Sequence, residues 1–174
     1  MILCLDLGTK TGYALEASGY PLSVGTWVLA TAKEIKDFRR LRMDRRSDPR
    51  VIKLYKTLQA LHQSVRLEHI IFEDVQFASS TLQVQLWASL RAAVWLMSIE
   101  GVRIECCPVG TLKKHGAGAG NATKDRMIRS LAQRNPRFTL DSSEIRDTVT
   151  GQKLDDNAVD ALHLLSWARS VLRL

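Results

Sequence analysis

Apolar and polar positions along the chain divide it into short strands first and alternating strands and helices afterwards. Residues 1–7 (MILCLDL) are almost continuously apolar, the pattern of a strand buried on both faces. Gly8 to Gly12 reads as a turn, residues 13–16 open a second strand, 17–21 form another turn, and 22–30 (LSVGTWVLA) make a third strand. Tight turns between three successive strands predict an antiparallel opening. Asp48 and Pro49 mark a helix start. From Val51 the apolar positions recur at 54, 55, 58, 61 and 65, which predicts a helix with one core-facing stripe.

Residues 69–75 (HIIFEDV) form a fourth strand. Residues 79–100 form a long helix that is apolar almost all round and carries Trp87 and Trp95. Such a helix is expected to be buried on more than one side and is the candidate subunit interface. Residues 102–107 form a fifth strand, and the stretch from Leu112 to Asn121 ends in a flexible run from Gly116 to Gly120. Thr123 caps a helix that runs to about Arg134, residues 137–153 read as a polar loop, and 154–172 form the last helix. Hairpin strands followed by alternating strands and helices predict an α/β fold with a mixed five-stranded sheet: three antiparallel strands, then parallel ones, flanked by helices. Neither a repeat nor a domain boundary interrupts the 174 residues, so 1–174 reads as a single domain.

Charge sharpens this picture. Twenty-five Lys and Arg against eighteen Asp and Glu give +7. Between Lys33 and Lys56 ten basic residues face four acids, so +6 of that surplus lies in one segment. It includes Arg39, Arg40, Arg42, Arg45 and Arg46, and a localised basic stripe of this kind suits a polyanion. No apolar run is long enough for a membrane span, and the first residues lack the basic start of a signal peptide, so a cytoplasmic, non-secreted protein is expected. Three cysteines with no C-x-x-C spacing point to a reducing compartment without a structural metal; Cys4 and Cys106 are expected as core thiols.

Candidate chemistry lies in the acids. Asp6 sits inside an apolar strand, where an unpaired carboxylate costs several kcal/mol or loses its charge. Glu73 ends the apolar run of the fourth strand. The last helix opens with Asp155, Asp156, Asn157 and Asp160; the spacing puts 156 with 160, and 157 with 160, on a common face. Capping and the helix dipole explain an acid at 155 or 156 but not Asp160, which lies deeper among apolar residues. Acids from two strands and a helix could form an all-oxygen site for hard cations such as Mg²⁺ or Mn²⁺. Beside a basic stripe, that is the charge pattern of a nuclease.

The motifs resemble those of RuvC-type Holliday junction resolvases, which have an RNase H-like fold. The run from Asp6 to Ala14 (DLGTKTGYA) resembles the family's D-x-G-x-x-x-x-G pattern, one residue shorter, and Phe72-Glu73 resembles its strand-end glutamate. Lys113 to Lys124, with Gly118 and Gly120 between, resembles its lysine–glycine stretch, and DNAVDAL from Asp156 to Leu162 resembles its final helix. The resemblance implies a crossover junction endodeoxyribonuclease that cuts branched DNA with two Mg²⁺ ions per site, leaving 5′-phosphate and 3′-hydroxyl ends. It implies Asp6, Glu73 and Asp160 as metal ligands, with Asp156, or alternatively Asn157, as the fourth. Lys113 and Lys124 would act on the junction backbone, with Lys114 as their neighbour, and Phe77 would engage an unpaired base. Symmetric cutting implies a homodimer. The arginine-rich segment has no counterpart in the resemblance and would grip junction arms; such members are expected in bacteria or in phage- or virus-infected cells. A nuclease of this fold acting on RNA or RNA–DNA hybrids, and a non-catalytic nucleic-acid-binding module, are the rival readings. An actin-like ATPase would need a second lobe and phosphate loop that the sequence lacks.

Overall fold

A computed structural model of the chain describes residues 1–41, 47–75, 80–142 and 144–172. Arg42, Arg45, Arg46 and Phe77 lie outside the described residues. Strands β1 (Ile2–Asp6), β2 (Lys10–Glu16), β3 (Ser23–Val28), β4 (His69–Asp74) and β5 (Arg103–Pro108) form one sheet in the order β3-β2-β1-β4-β5. The first three are antiparallel, and β1, β4 and β5 run parallel. The expected mixed five-stranded sheet is therefore present, with β1 and β4 at its centre and the parallel β5 at one edge.

Strand alternation divides the core between the two faces. Leu3, Leu5, Ile70 and Phe72 point to one face, where Leu54 and Leu58 of α2 (Pro49–Val65) and Leu90 and Val94 of α3 (Thr81–Trp95) cover them. Cys4 and Ile71 point to the other, where α6 (Asp156–Leu172) lays Ala158, Ala161, Leu162 and Leu165 across the sheet. Asp6 and Glu73 continue the Cys4 and Ile71 series by one step of two, so both fall on the α6 face at the strand ends. Asp48 caps α2 by accepting from the Arg50 amide, with Pro49 in the first turn, as the sequence predicts.

One element was not assigned from the sequence, and three expectations need correction. The basic segment contains a helix, α1 (Ala32–Leu41), started by a reciprocal box: the Thr31 amide and hydroxyl donate to Glu34, and the Glu34 amide donates to the Thr31 hydroxyl. The run from Gly116 is not a flexible linker. Residues 116 and 117 finish helix α4 (Val109–Ala117), and Gly118 stops it in the left-handed region at φ +79°. Residues 137–153 are not a loop but a small antiparallel sheet of β6 (Phe138–Asp141), β7 (Glu144–Asp147) and β8 (Lys153–Leu154). A buried ion pair holds it: Arg137 donates to Asp147 at 2.9 and 2.6 Å and to the Leu22 carbonyl at 2.9 Å. Cys106 is exposed because β5 is an edge strand, and Cys107 is the buried thiol beside Cys4.

Helix α3 also departs from expectation. Within the chain it buries only one side, through Leu90, Ala93 and Val94. Leu82, Val84 and Trp95, with Leu96 and Ile99 of the 3₁₀ turn after it, remain exposed. Among the described residues no helix is long and apolar enough to cross a membrane.

Candidate active site

Three elements deliver the acids to one place. Leu5 and Phe72 are partners across the parallel pair of β1 and β4, so the next residues, Asp6 and Glu73, leave the sheet side by side and hydrogen-bond to each other. On the other flank Asp6 pairs with Gly12 of β2. Above Gly12 lies the backbone of the first turn of α6: a Cβ added to Gly12 would stand 1.9 Å from the Asn157 carbonyl oxygen. Glycine at this position lets the helix touch the sheet, and the touch brings Asp160 and Asp156 over Asp6. Thr11, fully buried, braces the preceding turn by donating to the Gly8 carbonyl at 2.8 Å.

The start of α6 sorts its own polar residues. Asp155 is the cap: its Oδ1 accepts from the Ala158 amide at 3.0 Å and from the Thr26 hydroxyl at 2.5 Å, stitching α6 to β3. Asn157 turns its side-chain amide back towards Asp155, at 3.5 Å. Asp156 and Asp160 face the strand-end acids.

The electrostatics follow from that crowding. Burial, then the charges of Glu73, Asp160 and Asp156, pushes the Asp6 carboxyl well above the usual carboxylate range. Burial likewise raises Glu73, against the opposing pull of Lys113. Burial, then Glu73 and Asp156, raises Asp160 from 3.8 to about 7. Asp156 is the exception: an ion pair with Lys124, on the first turn of α5 (Lys124–Arg134), holds it low. Lys113 on α4 acts on both Glu73 and Asp160, while Lys114 beside it points to solvent. Asp156 also feels Lys10, a residue the sequence reading passed over. Its position four residues after Asp6, at the start of the strand that pairs back against β1, was the available signal.

Among the described residues, no three His, Cys, Asp or Glu side chains are already arranged as a cage for a metal ion. The donor set nevertheless suits a hard cation. Asp6, Glu73, Asp156 and Asp160 supply only oxygen, and they crowd enough negative charge to push two or more carboxyls towards protonation. A divalent cation relieves the same repulsion. Away from this cluster, Arg39 and Arg40 are exposed on α1, and Arg39 lines a groove with Gly8 and Thr9 of the β1–β2 turn.

A mixed five-stranded sheet in this order, flanked by helices, matches the fold of RuvC. The comparisons with solved structures agree. The chain is similar to T. thermophilus RuvC in complex with a Holliday junction substrate, with a TM-score of 0.64 and 16% identity over 97% of this chain and 94% of that one. A second T. thermophilus RuvC structure gives a TM-score of 0.57 at 16% identity, covering 98% and 96% of the two chains. The yeast mitochondrial Holliday junction resolvase Ydc2 gives 0.52 at 14% identity, covering 95% of this chain and 75% of its own. No family model matches the chain, and no curated protein matches it in sequence. At these identities the likeness is one of fold.

Proposed function

We propose that this protein is a metal-dependent, structure-selective endonuclease that cuts branched DNA, with the four-way junction as its principal substrate. The observation that carries the reading is the convergence of Asp6, Glu73, Asp156 and Asp160, from three elements, on one spot flanked by Lys113 and Lys124. The fold shared with junction resolvases supplies the substrate class.

Asp6, Glu73, Asp160 and Asp156 would hold two Mg²⁺ ions, or Mn²⁺ in their place. Bound there, the ions supply an activated water and charge stabilisation for phosphodiester hydrolysis. The water oxygen bonds to phosphorus, the P–O3′ bond breaks, and the departing oxygen takes up a proton, leaving 5′-phosphate and 3′-hydroxyl ends. Lys124 leaves its partner Asp156 for the phosphate oxygens, and Lys113 neutralises charge on the opposite flank. Asn157, committed to the cap, contributes its backbone to the docking on Gly12 rather than a ligand. The arginines of α1 hold a DNA arm through its phosphates without reading sequence. Two copies meet through the exposed face of α3 and its 3₁₀ extension, placing two sites on one junction. Such an enzyme works in the cytoplasm of a bacterial or phage- or virus-infected cell.

The test is a cleavage panel in Mg²⁺ comparing wild type with Asp6→Asn on a four-way junction, a flap, linear duplex and an RNA–DNA hybrid. Paired, ligatable nicks in the junction that the variant does not make are expected. Cutting of the hybrid alone would transfer the protein to the RNA-acting branch. Junction binding without any cutting would leave a binding module.

A further inference from the structure

The basic residues so far assigned to DNA lie on α1, α4 and the first residue of α5. The rest of α5 carries a second set. Arg126, Arg129 and Gln133 are exposed and fall at i, i+3 and i+7, on one face of the helix. The opposite face is spent on packing: Met127, Ser130 and Leu131 are buried, and the Ser130 hydroxyl donates to the Gly116 carbonyl at 2.5 Å. The exposed face borders an open groove of about 560 Å³ lined by Thr123, Arg126, Arg129, Gln133 and Arg134, with Asp125 the one acid among its walls. Arg134 is fixed there by donating to the His115 carbonyl at 2.8 Å, which ties the far end of the groove to α4. Among the described residues neither Arg126 nor Arg129 is in an ion pair.

Orientation gives this groove a meaning. Helix α5 begins at the acidic cluster, because Lys124 is paired with Asp156. Counted along α5 from that end, the exposed arginines come in the order Arg126, then Arg129, on the face turned away from Met127 and Leu131. From Arg126 to Gln133 the helix rises about 10 Å, close to the axial advance of three nucleotides on one strand. Arginine presents several donors in a planar fork suited to phosphate oxygens.

We propose that the exposed face of α5 is a phosphate track: Arg126 and Arg129 bind successive phosphates of the strand whose scissile phosphate lies at the acidic cluster, and Gln133 and Arg134 close its far end. This rests on the nuclease reading and names further substrate-binding residues for the same site. The track would hold the cut strand on the side away from α1, so that the two basic helices grip different stretches of the substrate.

The experiment couples protein and DNA changes. Binding of a four-way junction is measured across salt concentrations, in Ca²⁺ to prevent cutting, for wild type, for Arg126→Ala/Arg129→Ala and for Arg126→Lys/Arg129→Lys. Each is repeated on junctions with one neutral methylphosphonate, stepped along both sides of the scissile position. Thermal unfolding confirms that each variant is folded. Loss of two phosphate contacts should lower the slope of log affinity against log salt by about 2, and the lysine variant should recover most of it. Methylphosphonates within about three nucleotides on one side should weaken wild type and have little further effect on the alanine variant. An unchanged slope overturns the proposal. So does a reduced slope with no positional coupling, which would make the arginines a diffuse field rather than a track. Wild type that binds and cuts junctions while the arginine variants match it refutes this inference alone; wild type that does neither refutes the nuclease reading beneath it.

Discussion

Replacing Gly12 by alanine tests the construction of the site at a single carbon atom. The added Cβ would stand 1.9 Å from the Asn157 carbonyl oxygen, 2.2 Å from its carbon and 2.9 Å from the Ala158 nitrogen. These are backbone atoms, so no side-chain rotation relieves the clash. Restoring ordinary contact requires the first turn of α6 to retreat from the sheet by about 1.5 Å or more. Overpacking of this kind costs roughly 1–3 kcal/mol, or about 3–10 °C in melting temperature for a chain of this size. The alanine's restriction of the unfolded chain recovers less than about 1 kcal/mol of that. Catalysis should suffer more than stability, because the same retreat separates Asp156 and Asp160 from Asp6. A misplacement of about 1 Å costs on the order of a hundredfold in rate. Gly110→Ala serves as the control, since nothing lies within 4 Å of its added Cβ. Melting curves and single-turnover junction cleavage read both effects. Gly12→Ala with wild-type melting and wild-type cleavage would refute the close docking of α6 on β2 and the account of the site built on it.

Three further outcomes follow from the same structure. In EDTA, Asp160→Asn should melt above wild type at pH 8, by no more than roughly 4 kcal/mol of stability. Its carboxyl rises from 3.8 to about 7 on folding, so its charge opposes the fold above pH 7, and the gap should close as pH falls towards 4; a gap independent of pH would contradict the crowding. Asp147→Asn should cost about 3 kcal/mol at pH 7 by leaving Arg137 half-buried without its partner. Arg137 holds the Asp147 carboxyl below its usual range, so the pair's contribution is full above the ordinary carboxylate range and is lost as pH falls through the lowered value; wild type and variant should converge in acid denaturation monitored by circular dichroism. Under the proposed subunit contact, wild type should sediment as a dimer and Ile99→Lys, at a residue 79% exposed beside Trp95 and Leu96, as a monomer; equal masses for the two would remove this face as the contact.

The central sheet was legible because β1 and β4 are apolar runs with a single acid at the end of each, and that acid contradicts its surroundings. The conflict at Asp6 and Glu73 marked the site as well as the strands. The Asp156–Asp160 spacing on α6 was legible for the same reason, since capping accounts for Asp155 and leaves Asp160 unexplained. What the pattern hid depends on contacts distant in sequence. The strands β6 to β8 are two to four residues long, too short to show alternation, and they are held by Arg137 reaching Asp147 and Leu22. Helix α1 announces itself only through the Thr31–Glu34 box, which the surrounding charge obscured. The end of α4 was misread because glycines that permit close packing and a left-handed stop look the same in sequence as glycines in a free linker. The exposure of Cys106 could not be read locally, since it follows from β5 being outermost in the strand order.

The candidate ligands are spread over almost the whole chain, from Asp6 on the first strand to Asp160 on a helix that follows every other described element. A ribosome releases these parts in order, at roughly 5–20 residues per second. The strands and the basic helices are therefore synthesised before the carboxylates of α6, and before the apolar residues of α6 that cover one face of the sheet. A chain stopped before α6 would lack Asp156 and Asp160, two of the four candidate ligands, together with the packing that holds Asp6 beneath them, so the candidate site and the closed core arise in one step.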